Sequence, residues 1–147
     1  MSNNFNIRPA RPEEAGLVLE FIKKLAVYEK CADEVVADEA TLCQSLFEER
    51  SAEVVFAEED GEVVGFALFF HNFSTFLGRA GIYLEDLYIL PEYRGRGYGR
   101  TLLDCAIAHI REETDAPVTL HVAAWNQTAV QLYRQCGFAV TKVFCPR

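Results

Sequence analysis

The apolar positions of this chain change period several times, and each change marks an element. In residues 12–30, PEEAGLVLEFIKKLAVYEK, the residues Leu17, Val18, Phe21, Ile22 and Leu25 recur at spacings of three and four, the repeat of a helix that buries one face. Pro12, Glu13 and Glu14 suit its start, because proline lacks the amide a first turn leaves unpaired and acids offset the positive end of the helix dipole. A short strand, FNIRPAR, precedes this helix, and DEATLCQSLFEER reads as a second, shorter helix beginning near Asp38. The period then drops to two. AEVVFAEEDGEVVGFALFFHNF holds two apolar runs joined around Asp60-Gly61, a dipeptide that favours a tight hairpin. GIYLEDLYILP is a third strand of this group. Strict alternation predicts Tyr83, Glu85, Leu87 and Ile89 on one of its faces and Leu84, Asp86, Tyr88 and Leu90 on the other.

Helical spacing returns in YGRTLLDCAIAHIREE, where Leu102, Leu103, Ala106, Ile107 and Ile110 form a stripe. A strand VTLHVAAW, a helix NQTAVQLYRQC closed by Gly137 and a last strand FAVTKVF complete the chain. The order strand, two helices, three strands, helix, strand, helix, strand predicts an α/β (α+β) fold, a mixed and mostly antiparallel central sheet with helices on both faces. No Pro/Gly/Ser-rich linker and no repeat divides residues 1–147, so the whole length reads as one domain.

Composition narrows the function. The chain has 147 residues, half of them apolar, enough for a continuous core without metal or disulfide staples. A formal charge of -8 argues against a nucleic-acid partner, whose phosphates demand a basic face. An acidic surface serves either solubility or a cationic small substrate. The five cysteines, Cys31, Cys43, Cys105, Cys136 and Cys145, show no C-x-x-C spacing, so no metal is expected. Cys105, among Leu102, Leu103, Ala106 and Ile107, reads as a core filler. The start MSNNFNIRP lacks the regions of a signal peptide and no apolar run approaches a membrane span, which leads us to expect a reduced, cytoplasmic protein without a membrane partner.

The segment PEYRGRGYGRTLL stands out. A strand running into a glycine-rich turn and then a helix leaves unpaired amides at the helix start, together with the positive end of the dipole. Gly97 and Gly99 have no side chains to block an approaching phosphate, and Arg94, Arg96 and Arg100 can add charge-assisted contacts. A flexible turn with solvated arginines explains the loop alone equally well. A nucleotide P-loop is excluded because no lysine follows the last glycine, and a dinucleotide fingerprint is disfavoured because the loop reads G-x-G-x-G after an antiparallel meander.

Two motifs together point further. Arg94, Gly97 and Gly99 form R-x-x-G-x-G, and Asn126, Ala129, Tyr133, Gly137 and Phe138 form N-x-x-A-x-x-x-Y-x-x-x-G-F. In this order and element context they resemble the GNAT superfamily of acetyl-coenzyme A dependent N-acetyltransferases. IRPA, LAVYEK, YLEDLYILPEYRGRGYG and AAWNQTAVQLY are similar to its diamine (spermidine/spermine) and thialysine acetyltransferase branch, and YEKCADEV is nearer to the thialysine members.

The resemblance implies a site. The backbone of Leu87, Tyr88 and Ile89 would pair with the pantetheine arm, with an amide near Tyr88 facing the thioester carbonyl. Arg94, Gly95, Arg96, Gly97, Tyr98, Gly99 and Arg100 would hold the pyrophosphate, and Asn126 and Ala129 would flank the arm. An alkylammonium of pKa about 10.4 is neutral at pH 7 in roughly one molecule in 2,500, a deficit of about 4.6 kcal/mol. A base must therefore help. The resemblance assigns this to Glu85, acting through an ordered water or only holding the ammonium; the alternative is a satisfied polar residue at a strand bulge. Tyr133, two helical turns after Asn126, is the general acid for the leaving thiolate or an ordinary core tyrosine. Tyr28 and Glu29 match a substrate-contacting pair, with Asp33 and Glu34 adding negative charge, although a solvated helix end explains these acids as well. His71, His109 and His121 show no evident partner and read as structural. No cysteine occupies a catalytic position of the motifs, which favours direct transfer in a ternary complex. The expected acceptor is a primary amine of a small cationic metabolite, a diamine, polyamine or thialysine-like amine; another acceptor (amino acid, antibiotic or protein amine), or a non-catalytic acyl-coenzyme A binding module, are the rival readings. Only AVTKVFCPR follows Phe138, so the family's closing strand is missing or supplied by a neighbour, and a homodimer is expected.

Overall fold

A computed structural model describes residues 4–75, 78–122 and 125–139. The elements run β1 (Phe5–Pro9), α1 (Ala15–Tyr28), α2 (Glu39–Cys43), β2 (Glu53–Glu59), β3 (Glu62–Ser74), β4 (Arg79–Ile89), α3 (Tyr98–Glu113), β5 (Val118–Thr119) and α4 (Gln127–Gln135). Asp38 caps α2 by accepting from the Thr41 amide at 2.7 Å, and a single π turn over Gln44–Glu48 extends it. The expected closing strand FAVTKVF falls almost wholly outside the described residues, as does Cys145. Of the strand expected in VTLHVAAW, only Val118 and Thr119 pair among the described residues.

The five strands lie in sequence order, antiparallel from β1 to β4, with β5 joining β4 in parallel. Mixed pairing with helices on both faces was legible in the element order. Asp60 and Gly61 turn the β2–β3 hairpin with φ of 52° and 83°, the left-handed pair that matches strand twist. On β2 the alternation is clean: Val55 and Ala57 join the α3-side core with Leu102, Leu103 and Ala106, while Val54 and Phe56 join the α1-side core with Val18, Phe21 and Leu25. Among the described residues no helix is long and apolar enough to cross a membrane.

Strand β4 breaks the alternation expected from its sequence. Leu84 pairs with Phe69 and Asp86 with Leu68, so Glu85 has no opposite residue and forms a bulge. A bulge resets the side-chain phase. Ile82 and Leu84 before it and Leu87 and Ile89 after it all enter the α3-side core, whereas Tyr88 enters the α1-side core. The predicted faces of β4 therefore hold after Glu85, with Leu87 and Ile89 opposite Tyr88 and Leu90, but Leu84 before it lies on the face opposite to the one expected, because a period of two cannot reveal an inserted residue.

Candidate active site

Strand β5 pairs with β4 only at Ile82↔Val118 and Tyr83↔Thr119. Beyond that point no strand among the described residues pairs with the edge of β4. The Leu90 amide donates to Val64 of β3 at 2.8 Å, and antiparallel pairing then turns Tyr88 toward β3 and leaves the backbone groups of Leu87 and Ile89 facing the open edge. Of the three residues expected to pair with the pantetheine arm, Leu87 and Ile89 face this edge, whereas the Tyr88 N–H turns to the sheet and its ring packs against Phe21, Phe66 and Tyr28.

The glycine loop follows the open edge directly. Gly95 and Gly97 both take φ of +80° and meet open space where a side chain would begin, and Gly97 is the left-handed residue from which α3 departs. Naked amides at the start of a long helix are an anion cradle. Gly99 differs, since its Cα faces Leu132 and Ile89 rather than an opening. The arginines also differ from a simple phosphate-contacting set. Arg96 donates to both carboxylate oxygens of Glu59 at 3.2 Å and stacks on Tyr93. Tyr98 donates to the same buried carboxylate at 2.6 Å, so both residues anchor the loop to β2. Arg94 donates from Nε to the outward Ile89 carbonyl at 2.9 Å and lies over the rings of Tyr28 and Tyr88, 4.7 Å and 5.2 Å from their centroids. Arg100 faces Asp104 one turn on at 3.8 Å.

The end of α1 and the start of α4 meet across this edge. Asn126 caps α4 by accepting from the Ala129 amide at 3.3 Å, and the Tyr28 hydroxyl donates to the same oxygen at 3.3 Å. Tyr28 stands 6.3 Å from the Tyr88 ring and 6.4 Å from Trp125, which makes an aromatic wall. Glu29, next in sequence, is held above the usual carboxylate range by burial and by the charge of Glu85. Asp86 is pushed up to about 7 by burial, then by Glu85 and Glu29. Tyr133 is pushed up to about 12 by burial, with Glu29 and Asp86 adding to the effect. Glu29, Asp86 and Tyr133 thus share one field, and Glu85 acts on both acids. A cluster whose members raise one another's proton affinity is electrostatically unsatisfied and suits a cation.

Sequence reasoning missed Asp86, Trp125 and Glu59. Two adjacent acids inside an apolar strand were the available signal for Asp86; the bulge that turns it inward gave none. Two histidines read as unpartnered do have partners: His121 Nδ1 lies 2.8 Å from the Tyr83 hydroxyl and His109 Nε2 lies 3.6 Å from Glu53. Asp33 and Glu34 are exposed in a short turn after α1.

The raised Asp86 pKa carries a stability consequence. In the unfolded chain this carboxyl returns to about 3.9. Between that value and about 7 the folded state binds the extra proton, so stability falls as pH rises through this window and the loss is complete above about 7. Asp86→Asn removes the contribution. Melting temperatures measured from pH 4 to 8 are expected to decline more steeply in the wild type than in the variant; parallel profiles would show that Asp86 titrates normally.

Comparison with known proteins adds the family. The model of the acetyltransferase (GNAT) family matches residues 19–138. Thialysine N-epsilon-acetyltransferase of Bos taurus is 35% identical over 140 residues, covering 89% of this chain and 82% of its own. L-ornithine N5-acetyltransferase of Arabidopsis thaliana is 27% identical, covering 92% and 80%. In fold, the chain is similar to an aminoglycoside acetyltransferase from an uncultured soil metagenomic sample, with a TM-score of 0.82 at 15% identity over 97% of this chain and 94% of that one.

Proposed function

The chain belongs to the GNAT acetyltransferase family, and we propose that it transfers acetyl from acetyl-coenzyme A to a primary amine of a small cationic metabolite, by direct attack in a ternary complex. The observation that carries the acceptor is the nest of Glu29, Glu85 and Asp86 beside Tyr133 at the open edge of β4. Relatives named for thialysine and L-ornithine support an amine of this size.

The co-substrate fits the residues present: the open space at Gly95 and Gly97 admits a diphosphate to the loop amides, and the β4 edge at Leu87 and Ile89, where no strand of the described residues pairs and only the Ile89 carbonyl is taken by Arg94, suits an extended amide arm. When bound, it supplies an activated acetyl thioester. Backbone amides from Gly95 to Arg100 would hold its phosphates, with Arg96 and Tyr98 keeping the loop in place from Glu59. Asn126 and Ala129 would border the arm at the α4 start.

The carboxylates Glu29, Glu85 and Asp86 hold the ammonium and receive its proton. A carboxylate near 7 accepts from an amine near 10.4 with a gap of about 3.4 pKa units, against about 6 for an ordinary glutamate, so Asp86 joins Glu85 as the basic pair. Tyr133 is the proton donor to the departing thiolate. Burial is the main cause of its value of about 12, with Glu29 and Asp86 adding to it, and a bound cation offsets the part those two acids contribute. A homodimer belongs to the same reading, supported by the place of β1 at the edge of the sheet that the described residues form.

Release of free thiol from acetyl-coenzyme A, followed across a panel of diamines, polyamines and amino acids with side-chain amines, tests the proposal. Amine-dependent release is expected. No release with any amine would leave an acyl-coenzyme A binding module.

A further inference from the structure

Building on that acceptor reading, we propose that Lys30 is a specificity-determining residue that reads a carboxylate on the acceptor, which makes the substrate class an amino acid with a reactive side-chain amine rather than a plain diamine. The starting point is the way α1 ends. The Lys30 amide donates to the Val27 carbonyl at 3.1 Å and the Cys31 amide to Ala26 at 2.7 Å, the paired bonds of a Schellman motif, whose pivotal residue is left-handed and is usually glycine. Here that residue is Lys30, at φ 62°. A side chain at this position costs stability that glycine would not.

The lysine does not repay this by covering the last carbonyls of α1. Its ammonium lies over the Trp125 ring, 5.1 Å from the centroid. Trp125 is more than half exposed and stands beside Tyr28, and the next residue, Asn126, accepts from the Tyr28 hydroxyl. A cation is thereby fixed on the aromatic rim of the site, one residue after Glu29. The charge pattern is asymmetric, with carboxylates at Glu29, Glu85 and Asp86 and two cations on the aromatic wall, Lys30 over Trp125 and Arg94 over Tyr28, the latter tied to the Ile89 carbonyl. A diamine would bring a second positive charge toward Lys30. An amino acid with a side-chain amine presents an ammonium to the nest and a carboxylate that Lys30 can pair with.

The test compares kcat/KM for two pairs that differ only by the carboxylate, lysine against cadaverine and ornithine against putrescine, in the wild type, Lys30→Gly and Lys30→Arg. The wild type is expected to prefer the amino acid of each pair. Lys30→Gly should lower kcat/KM for the amino acids about tenfold, through KM rather than kcat, while the diamines hold or gain as the repulsion is removed. Its melting temperature should hold or rise, because glycine suits the left-handed turn. Lys30→Arg should restore the preference. Equal losses for both members of each pair, or an unchanged ratio, would overturn the role of Lys30 while leaving the acetyltransferase reading intact. A melting temperature that falls along with both activities would make Lys30 a structural residue and also overturn it. No turnover of any of the four amines by the wild type would instead remove the acceptor reading beneath the proposal.

Discussion

Tyr133→Phe is expected to lower kcat about a hundredfold or more, the usual worth of a positioned proton donor, with coenzyme A affinity little changed. The ring packs edge-on against Phe138 at 5.8 Å, and phenylalanine keeps that contact, so folding should survive. The hydroxyl sits where burial and the charges of Glu29 and Asp86 hold its proton on. A group held protonated in this way can donate once a cationic acceptor neutralises its neighbours, and the loss should therefore appear in kcat rather than in KM. Steady-state kinetics with the best amine of the panel decide the matter. Unchanged turnover would remove Tyr133 from the chemistry and leave it as a core tyrosine.

Gly97→Val should abolish acetyl-coenzyme A binding in calorimetric titration, a rise in Kd of at least about a hundredfold, or roughly 2.7 kcal/mol. Two effects act together. The φ of +80° is one that a β-branched residue resists, at a cost of about 1–2 kcal/mol in the left-handed region, and relief of that strain would move the start of α3. The new methyl groups would also stand in the open space before the loop amides. No existing contact is lost, since nothing lies within 4 Å of the point a Cβ would occupy, so the core beneath should persist. Normal affinity in the variant would place the diphosphate elsewhere.

Much of the fold was legible because its signals are local. The helical stripe from Leu102 to Ile110, the Asp60-Gly61 hairpin and the Asp38 cap each follow from a few neighbouring residues. The glycine loop was legible for the same reason: Gly95 and Gly97 adopt the left-handed backbone that their missing side chains allow. The roles of the arginines were not. Arg96 pairs with Glu59, 37 residues away in sequence, and Arg94 folds back between Tyr28 and Tyr88; no local pattern encodes such a partner.

The sequence by itself determined the order of elements, the two motifs and hence the family, because backbone preferences and the hydrophobic period act over spans of about ten residues. Only the tertiary structure decided which acids meet. The unpaired Glu85 resets the phase of β4 and turns Asp86 toward the side of the sheet where α1 ends. Glu29 and Tyr133 then arrive from helices more than a hundred residues apart to share its field. Proton affinities depend on distance and burial in space, and those are set by packing rather than by position along the chain.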